Sequence, residues 1–408
     1  MKKNSSSWRK VFFILSVFIV LLAVVYLPLY FSSLIPSLPT QQLGDFLGPP
    51  SQDSDAPPED SDVPGEIFRS PGSFKLEYAK MEKNLKVFVY QDEGEDMACY
   101  QPGKLTGKHA SEGYFFVNIR ESRFLTPDPS KAHLFIVPVP CQNPHVLGRR
   151  YEDLTIPLRD LVTRLITKYP YWNRTSGADH VFVTCRDSGV IATEQLAILL
   201  KNSIRVICSP SYDTKYVPHK DVSLPQISQP FLHPAAGSDT RNRTMLAFWT
   251  GRHSSRLRRN LVKVWENDAS FDIQSNCLPQ CQEKFYNSKF CICPKGRRSQ
   301  VLGSRMAYSI RYGCVPVIMA DQYVRPFDDV LQWSKFSVIL KENDVDNLKK
   351  ILEGISDAEY RALQANTIKV QKHFQWNSPP VRLDAFHMVM FELWQRLHVP
   401  QKHRLDLL

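Results

Sequence analysis

Short apolar runs rich in β-branched and aromatic residues recur along this chain at long intervals. Between them, apolar residues return every three or four positions. KVFVY, from Lys86, is the first such run; HLFIVPV (133–139), HVFVTC (180–185) and IRVICS (204–209) follow. Helix-like stretches at 111–121, 153–168 and 193–201 separate them. A second series opens at Met245. MLAFWTG reads as strand and turn, 254–267 as an amphipathic helix, SKFCICP as a strand, 300–312 as a helix, and VPVIM and FSVIL as strands. Helices near 344–355, 357–374 and 380–397 complete the pattern. Strands alternating with helices at this spacing predict parallel sheets. The expected fold is α/β, with two Rossmann-like halves that divide near 228–242.

The pattern differs before residue 86. Val11 to Tyr30 is apolar except for Ser16 and Pro28, and about 17–20 such residues span a bilayer as a helix. Basic residues precede it and acidic ones follow, so the N-terminus is expected in the cytoplasm and the body in the lumen. A cleaved signal peptide has a shorter apolar core, about 7–15 residues, ending at a small-residue site. Here the run continues into bulky LPLYF, which predicts a retained anchor. Residues 32–72 are rich in Pro, Ser and Asp and cannot bury enough apolar surface to offset ordering entropy, so a disordered stem is expected, with a short helix at 74–84. The predicted plan is a cytoplasmic tail (1–10), a membrane anchor (11–30), a stem (31–80), an N-terminal domain (81–235), a C-terminal domain (236–345) and C-terminal helices (346–408).

Charge sharpens this plan. The chain carries a net +10, but its first ten residues hold four bases and no acid, while 31–68 hold seven acids and no base, leaving +13 on 69–408. A basic body favours anionic ligands. Nucleic acid is a poor fit for a lumenal body. Of the nine cysteines, Cys277, Cys281, Cys291 and Cys293 crowd together. The C-x-C spacing is poor for tetrahedral zinc, and a lumenal body permits disulfides, so disulfides are expected among these four, with at least one thiol left over. Cys185 and Cys208 are expected as buried apolar residues of core strands. Asn173 and Asn242 head glycosylation sequons, whereas Asn4 lies on the cytoplasmic side.

Two stretches carry the chemistry. FWTGRHSSRLRRNLVKVW (248–265) is a strand, a turn at Gly251 and a helix. FCICPKGRRSQVLGSRMAYSIRYG (290–313) is a strand, a basic loop and a helix closed by Gly313, with Ser299 or Ser304 as its cap. Open α/β sheets bind ligands at the carboxyl ends of their strands, and a helix N-terminus there favours phosphate. Arg252, Arg256 and Arg259 fall near one helix face, and Arg297 and Arg298 sit at a strand's carboxyl end. Neither stretch is a Walker loop or a G-x-G-x-x-G fingerprint, which counts against kinase, GTPase and dinucleotide-oxidoreductase readings.

The string CPKGRR…SR…GCVPVIMAD…PFDDVLQWSKFSV resembles the signature of exostosin-like glycosyltransferases, glycosyltransferase family 47, in its plant-type branch. KVFVY, HASEGYFFVNIRESRFLTPDPSKAHLFIVPVP, YPYWNRTSGADHVFV, KDVSLPQ and LAFWTGR agree in order, so the resemblance covers roughly 84–397. It implies a GT-B fold, two Rossmann-like domains facing a cleft, and a type II Golgi membrane enzyme that inverts on transfer from a sugar nucleotide. It sets the acceptor on the N-terminal domain and the donor on the C-terminal one, with Gly296, Arg297, Arg298 and Arg305 at donor-binding positions and Arg252 and Arg256 as diphosphate contacts; Ser304 and Tyr308, on the helix that follows, are expected in the same nucleotide-sugar site. Where the family has an acidic residue, Tyr308 stands here, and its usual Cys-His-Asp reads Cys185-Arg186-Asp187.

Transfer to a sugar hydroxyl needs a base, and the departing diphosphate needs positive charge. Glu112, where the resemblance also has a glutamate, and His180 are the candidate bases. The DxD strings at Asp53, Asp60 and Asp344 do not follow strand ends, so no metal or other cofactor is expected. The leading reading is a Golgi glycosyltransferase acting on polysaccharide or glycoprotein, possessing a membrane anchor and able to assemble with other glycosyltransferases. The alternatives are a catalytically weak member that partners an active transferase, and a lumenal carbohydrate-binding module.

Overall fold

The computed structural model describes residues 57–90, 105–107, 109–139, 154–237, 240, 242–278, 280–296 and 302–398. The tail and anchor at 1–30, most of the stem, Asn4, Cys99, Cys141, Arg297, Arg298 and Ser299 lie outside them. No helix among the described residues is long and apolar enough to cross a membrane.

Each half is built on a parallel five-stranded sheet. In the N-terminal lobe β1 (Val87–Val89), β2 (Leu134–Pro138), β3 (His180–Thr184), β4 (Ile204–Cys208) and β5 (Val222–Leu224) lie side by side in chain order. Side chains alternate between faces, and both faces are covered. Leu134, Ile136, Val181, Val183, Val206 and Leu224 join a large core with α1 (Pro71–Asn84) and α2 (Ala110–Glu121). Phe135, Val137 and Phe182 point the other way, onto α3 (Thr155–Lys168), α4 (Tyr171–Thr175), α5 (Asp187–Gln195) and α6 (Ala197–Lys201). Burial on both faces explains why these strands read as continuous apolar runs. The helix expected at 193–201 is two helices, because Leu196 is extended between them.

The C-terminal lobe contains β6 (Met245–Thr250), α7 (Arg256–Trp265), β7 (Phe271–Gln274), α8 (Lys284–Asn287), β8 (Ser288–Pro294), α9 (Leu302–Arg311), β9 (Val315–Met319) and β10 (Val338–Leu340). Its strand order is β10-β9-β8-β6-β7. The chain steps outward from β6 to β7, then returns to build β8 on β6's other side. α10 (Leu348–Glu353), α11 (Asp357–Phe374) and α12 (Ala385–Leu397) follow. The last helix crosses back: Met388, Val389 and Met390 are buried in the core of the N-terminal lobe. The helices after residue 346 thus pack back on the body of the protein rather than standing apart from it.

Two further expectations are corrected. The stem does not extend to residue 80. Val63, Ile67 and Phe68 are buried, Phe68 bridges Leu331, and Gln332 N–H donates to Ile67 O at 2.8 Å. Three apolar residues in a polar tract are enough to anchor it. Cys185 and Cys208 are not free core residues but a disulfide. The β3–β4 register pairs Thr184 with Ile207, which sets the two cysteines opposite each other. Cys277 pairs with Cys281 and Cys291 with Cys314, leaving Cys293 as a buried thiol. Gly313 closes α9 in the left-handed region, at φ 62°, as expected. Asn173 and Asn242 are both exposed.

A chain beginning at residue 53 is expected to melt roughly 10 °C higher than one beginning at residue 72, given about 1.5–3 kcal/mol for each of the three buried side chains. Thermal melts of the two truncations check this.

Candidate active site

The order of the C-terminal sheet reverses between β6 and β8, and crevices at such points bind ligands in open α/β sheets. Two arginines cross there. Arg258, on the helix after β6, donates through Nε and Nη2 to the Pro294 carbonyl that ends β8, at 3.2 and 3.0 Å. Arg305, on the helix after β8, donates through Nε to the Thr250 carbonyl that ends β6, at 2.6 Å. Ser255 caps α7 by accepting from Arg258 N–H at 3.2 Å. Its hydroxyl donates to Lys295 O at 2.8 Å. Consecutive carbonyls at the entry to the Gly296 loop are thus held by the first turn of α7.

Both guanidiniums are buried, Arg258 at 2% exposure and Arg305 at 6%. Burial pulls each down to about 10, and Arg258's charge adds to the shift at Arg305. Both remain cationic at neutral pH. Among the described residues Arg258 forms no ion pair with a carboxylate. Cys293 beside them supplies no negative charge, since burial pushes its thiol up to about 12. A buried charge is costly unless it is paired, so Arg258 is poised for an anion.

Gly251 serves this arrangement. A Cβ there would stand 2.4 Å from Arg305 Nη2 and 3.1 Å from its Cζ. The glycine is needed for close approach, not for the tight turn expected from sequence. Gly296 is buried one residue past Lys295, and Ser304 is buried within the first turn of α9. Arg252 and Arg256 are exposed, unlike Arg258. Helical spacing alone favoured the exposed face. The signal that marks Arg258 is its place on α7's apolar stripe, with the buried Leu257, Leu261 and Val262.

The N-terminal lobe presents its own strand ends to this edge. Gly303 N–H donates to Ser209 Oγ at 3.1 Å, and Ser209 Oγ donates to Gln226 Oε1 at 2.9 Å. Across the disulfide from Cys208, Cys185 N–H donates to Glu112 Oε2 at 2.8 Å. Glu112, in the first turn of α2, therefore stands at the carboxyl end of β3. Burial raises its carboxyl above the ordinary value, against the Cys185 N–H and the Arg186 charge. His180 is a correction. It starts β3 at the opposite end, fully buried, with Nε2 2.9 Å from Tyr90 Oη and Nδ1 2.7 Å from Asp179 Oδ1. Phe135 stacks on its ring and Trp172 packs against it, so His180 does not face a cleft.

Tyr308 is buried among Phe231, Phe285 and Tyr312. Its hydroxyl donates to Ser228 O at 2.7 Å, tying α9 to the segment between the lobes.

The sequence profile of the Exostosin GT47 domain matches residues 81–355. The chain belongs to the exostosin GT47 family. A probable glycosyltransferase of Arabidopsis thaliana is 37% identical over 336 residues, covering 79% of this chain and 64% of that protein. The match thus spans less than two thirds of that relative's length. A second Arabidopsis protein of the same description is 36% identical over 345 residues, covering 81% of this chain and 72% of its own. An Arabidopsis probable glucuronoxylan glucuronosyltransferase is 29% identical over 306 residues, covering 67% of each. The solved S. aureus TarM structure overlaps 56% of this chain and 57% of its own, at 10% identity and a TM-score of 0.31. In this GT47 chain the crossed arginines and Glu112 lie in lobes whose strand ends meet at Gly303.

Gly251→Ala is expected to displace the Arg305 guanidinium and weaken nucleoside-diphosphate binding about tenfold, with little change in melting temperature. Isothermal titration paired with a thermal melt measures both.

Proposed function

We propose that this GT47 chain is an inverting glycosyltransferase of GT-B type. It binds a sugar nucleotide with its diphosphate at the crossed arginines. The observation that carries this reading is the pair of buried guanidiniums, Arg258 and Arg305, at the reversal point of the C-terminal sheet. In this reading Arg297, Arg298, Gly296 and Ser304 complete the donor site, with Arg252 and Arg256 at its exposed rim. The diphosphate charge is met by guanidinium groups and backbone N–H rather than by a divalent cation. Glu112 takes the proton from an acceptor hydroxyl. That oxygen bonds to the anomeric carbon as the carbon–phosphate-oxygen bond breaks, and the nucleoside diphosphate leaves with the bonding electrons. A carboxyl held above its ordinary value is a stronger base than an exposed glutamate.

The acceptor is a polysaccharide or glycoprotein, and the body lies in the Golgi lumen, tethered through 11–30. The apolar run with its charge asymmetry and the two exposed sequons support this placement. Relatives described as probable glucuronosyltransferases make an acidic sugar a donor to test. Tyr308 favours a second reading, a catalytically weak partner of an active transferase, because its phenol is committed to Ser228 and no carboxylate occupies that position.

A screen of sugar nucleotides, read by released diphosphate, separates the readings. Turnover with at least one donor supports the transferase; nucleotide binding without turnover supports the partner. Arg305→Met is expected to weaken diphosphate binding about 100-fold, the loss of charge-assisted hydrogen bonds worth about 2–3 kcal/mol. Undiminished binding contradicts the assignment. Glu112→Gln is expected to lower kcat about 10²–10⁴-fold while leaving donor binding intact. In the parent enzyme kcat/KM should fall as pH drops through a value above the ordinary carboxylate range. That limb should be absent from the glutamine variant's pH profile.

A further inference from the structure

A cavity of about 290 Å³ opens between the segment that joins the lobes and the C-terminal half of α9. Gln229 and Phe231 of that segment wall it, with Arg311 at the end of α9 and Gln371, Gln375 and Trp376 at and beyond the end of α11. It lies at the small end of the range of about 300–1,000 Å³ common for ligand sites, and so suits a sugar unit better than a nucleotide sugar. Ile227, also in its wall, donates its N–H to Ser111 Oγ at 2.8 Å. The cavity wall is thereby pinned to the turn of α2 that carries Glu112.

Arg311 gives the cavity its charge. Its guanidinium lies over the Phe231 ring, 4.4 Å from the centroid, and Nη2 donates to His233 O at 3.3 Å. Its Nε is buried without a partner. Among the described residues no carboxylate pairs with Arg311, and no other charged side chain lines the cavity. A ring face and a carbonyl hold a guanidinium without neutralising it. The glutamines set the hydrogen-bonding pattern. Gln229 Oε1 accepts from Phe231 N–H at 3.0 Å, which leaves its Nε2 as a donor. Gln371 Nε2 donates to Ala236 O, Ile310 O and Arg311 O, and Gln375 Nε2 to Asn377 Oδ1, which leaves both amide oxygens as acceptors. Donors beside a cation suit a carboxylate, and amide oxygens suit hydroxyls. Phe231 and Trp376 offer apolar surface to ring C–H groups, and Trp376 is fixed by Nε1, which donates to Pro225 O at 3.0 Å. A carboxylate, several hydroxyls and an apolar ring face occur together in a uronate unit.

We infer that this cavity is a subsite for a uronate unit of an acidic saccharide chain, with the carboxylate on Arg311. Its role, holding an acidic acceptor beside the helix of Glu112, rests on the transferase reading; its ligand class rests on the cavity alone. The test is titration of the full chain with trigalacturonate and with the methyl ester of the same trisaccharide. The free acid should bind at least about tenfold more tightly than the ester. Arg311→Gln should weaken free-acid binding about tenfold and leave the ester unchanged. Gln229→Glu keeps the acceptor for Phe231 N–H and adds a negative charge, so it too should weaken the free acid about tenfold. If Arg311→Gln fails to fold, Gln229→Glu carries the test. Nucleoside-diphosphate binding should be unchanged in both variants, and a saturating nucleoside diphosphate should not displace trigalacturonate. No binding of the free acid, equal affinity for acid and ester, undiminished acid binding in a folded variant, or displacement by the diphosphate overturns the inference. Trigalacturonate binding as stated, in a chain that binds no nucleoside diphosphate, removes the transferase reading and leaves the uronate subsite standing.

Discussion

Two positive charges held inside protein at one sheet edge are the constraint around which the rest is arranged. Arg258 and Arg305 each reach from their own strand–helix unit to the last carbonyl of the other. The crossing ties β6 to β8 beyond the ladder and fixes both side chains before any ligand arrives. The bonds Arg258 makes to the Pro294 carbonyl satisfy donors without neutralising its charge. An incoming diphosphate would supply negative charge, and little rearrangement would be needed to receive it.

The two lobes meet where this edge is built. Gly303 must be glycine because a Cβ there would stand 2.6 Å from Ser209 Oγ and 2.8 Å from Gln226 Cβ. The start of α9 is therefore pressed onto the ends of the N-terminal strands. Tyr308, one turn later, secures the inter-lobe segment, and α12 returns to the first lobe to complete its core. The tyrosine that departs from the family's pattern thus serves the structure. Its phenol fills an aromatic cluster and satisfies a backbone carbonyl.

Much of the fold was legible in the sequence because parallel strands covered on both faces must be apolar throughout. The long runs from Lys86 to Ser209 and from Met245 to Leu340 announced themselves this way. β5 did not. It is three residues long and follows Lys220 and Asp221, a pair that reads as surface but is buried with Arg205 in an ion cluster. Contacts between segments distant in sequence were also hidden. Nothing local to Phe68 says that it will bridge Leu331, and nothing local to Cys185 says that its partner lies 23 residues on. At the site, Arg305 and Glu112 were legible through resemblance, and the crevice through strand-to-helix texture. Arg258 was passed over because solvent-facing arginines are the ordinary case, and His180 was overvalued because residue type does not show which end of a strand faces the ligand.

The most direct test of the crossed-arginine site is the contribution of the diphosphate to affinity. Each of a panel of nucleoside diphosphates should be titrated against the full chain beside its parent nucleoside. The preferred diphosphate is expected to bind at least about 100-fold more tightly than its nucleoside, and added salt should narrow the gap. Equal affinity of every diphosphate and its nucleoside would contradict the crossed-arginine site.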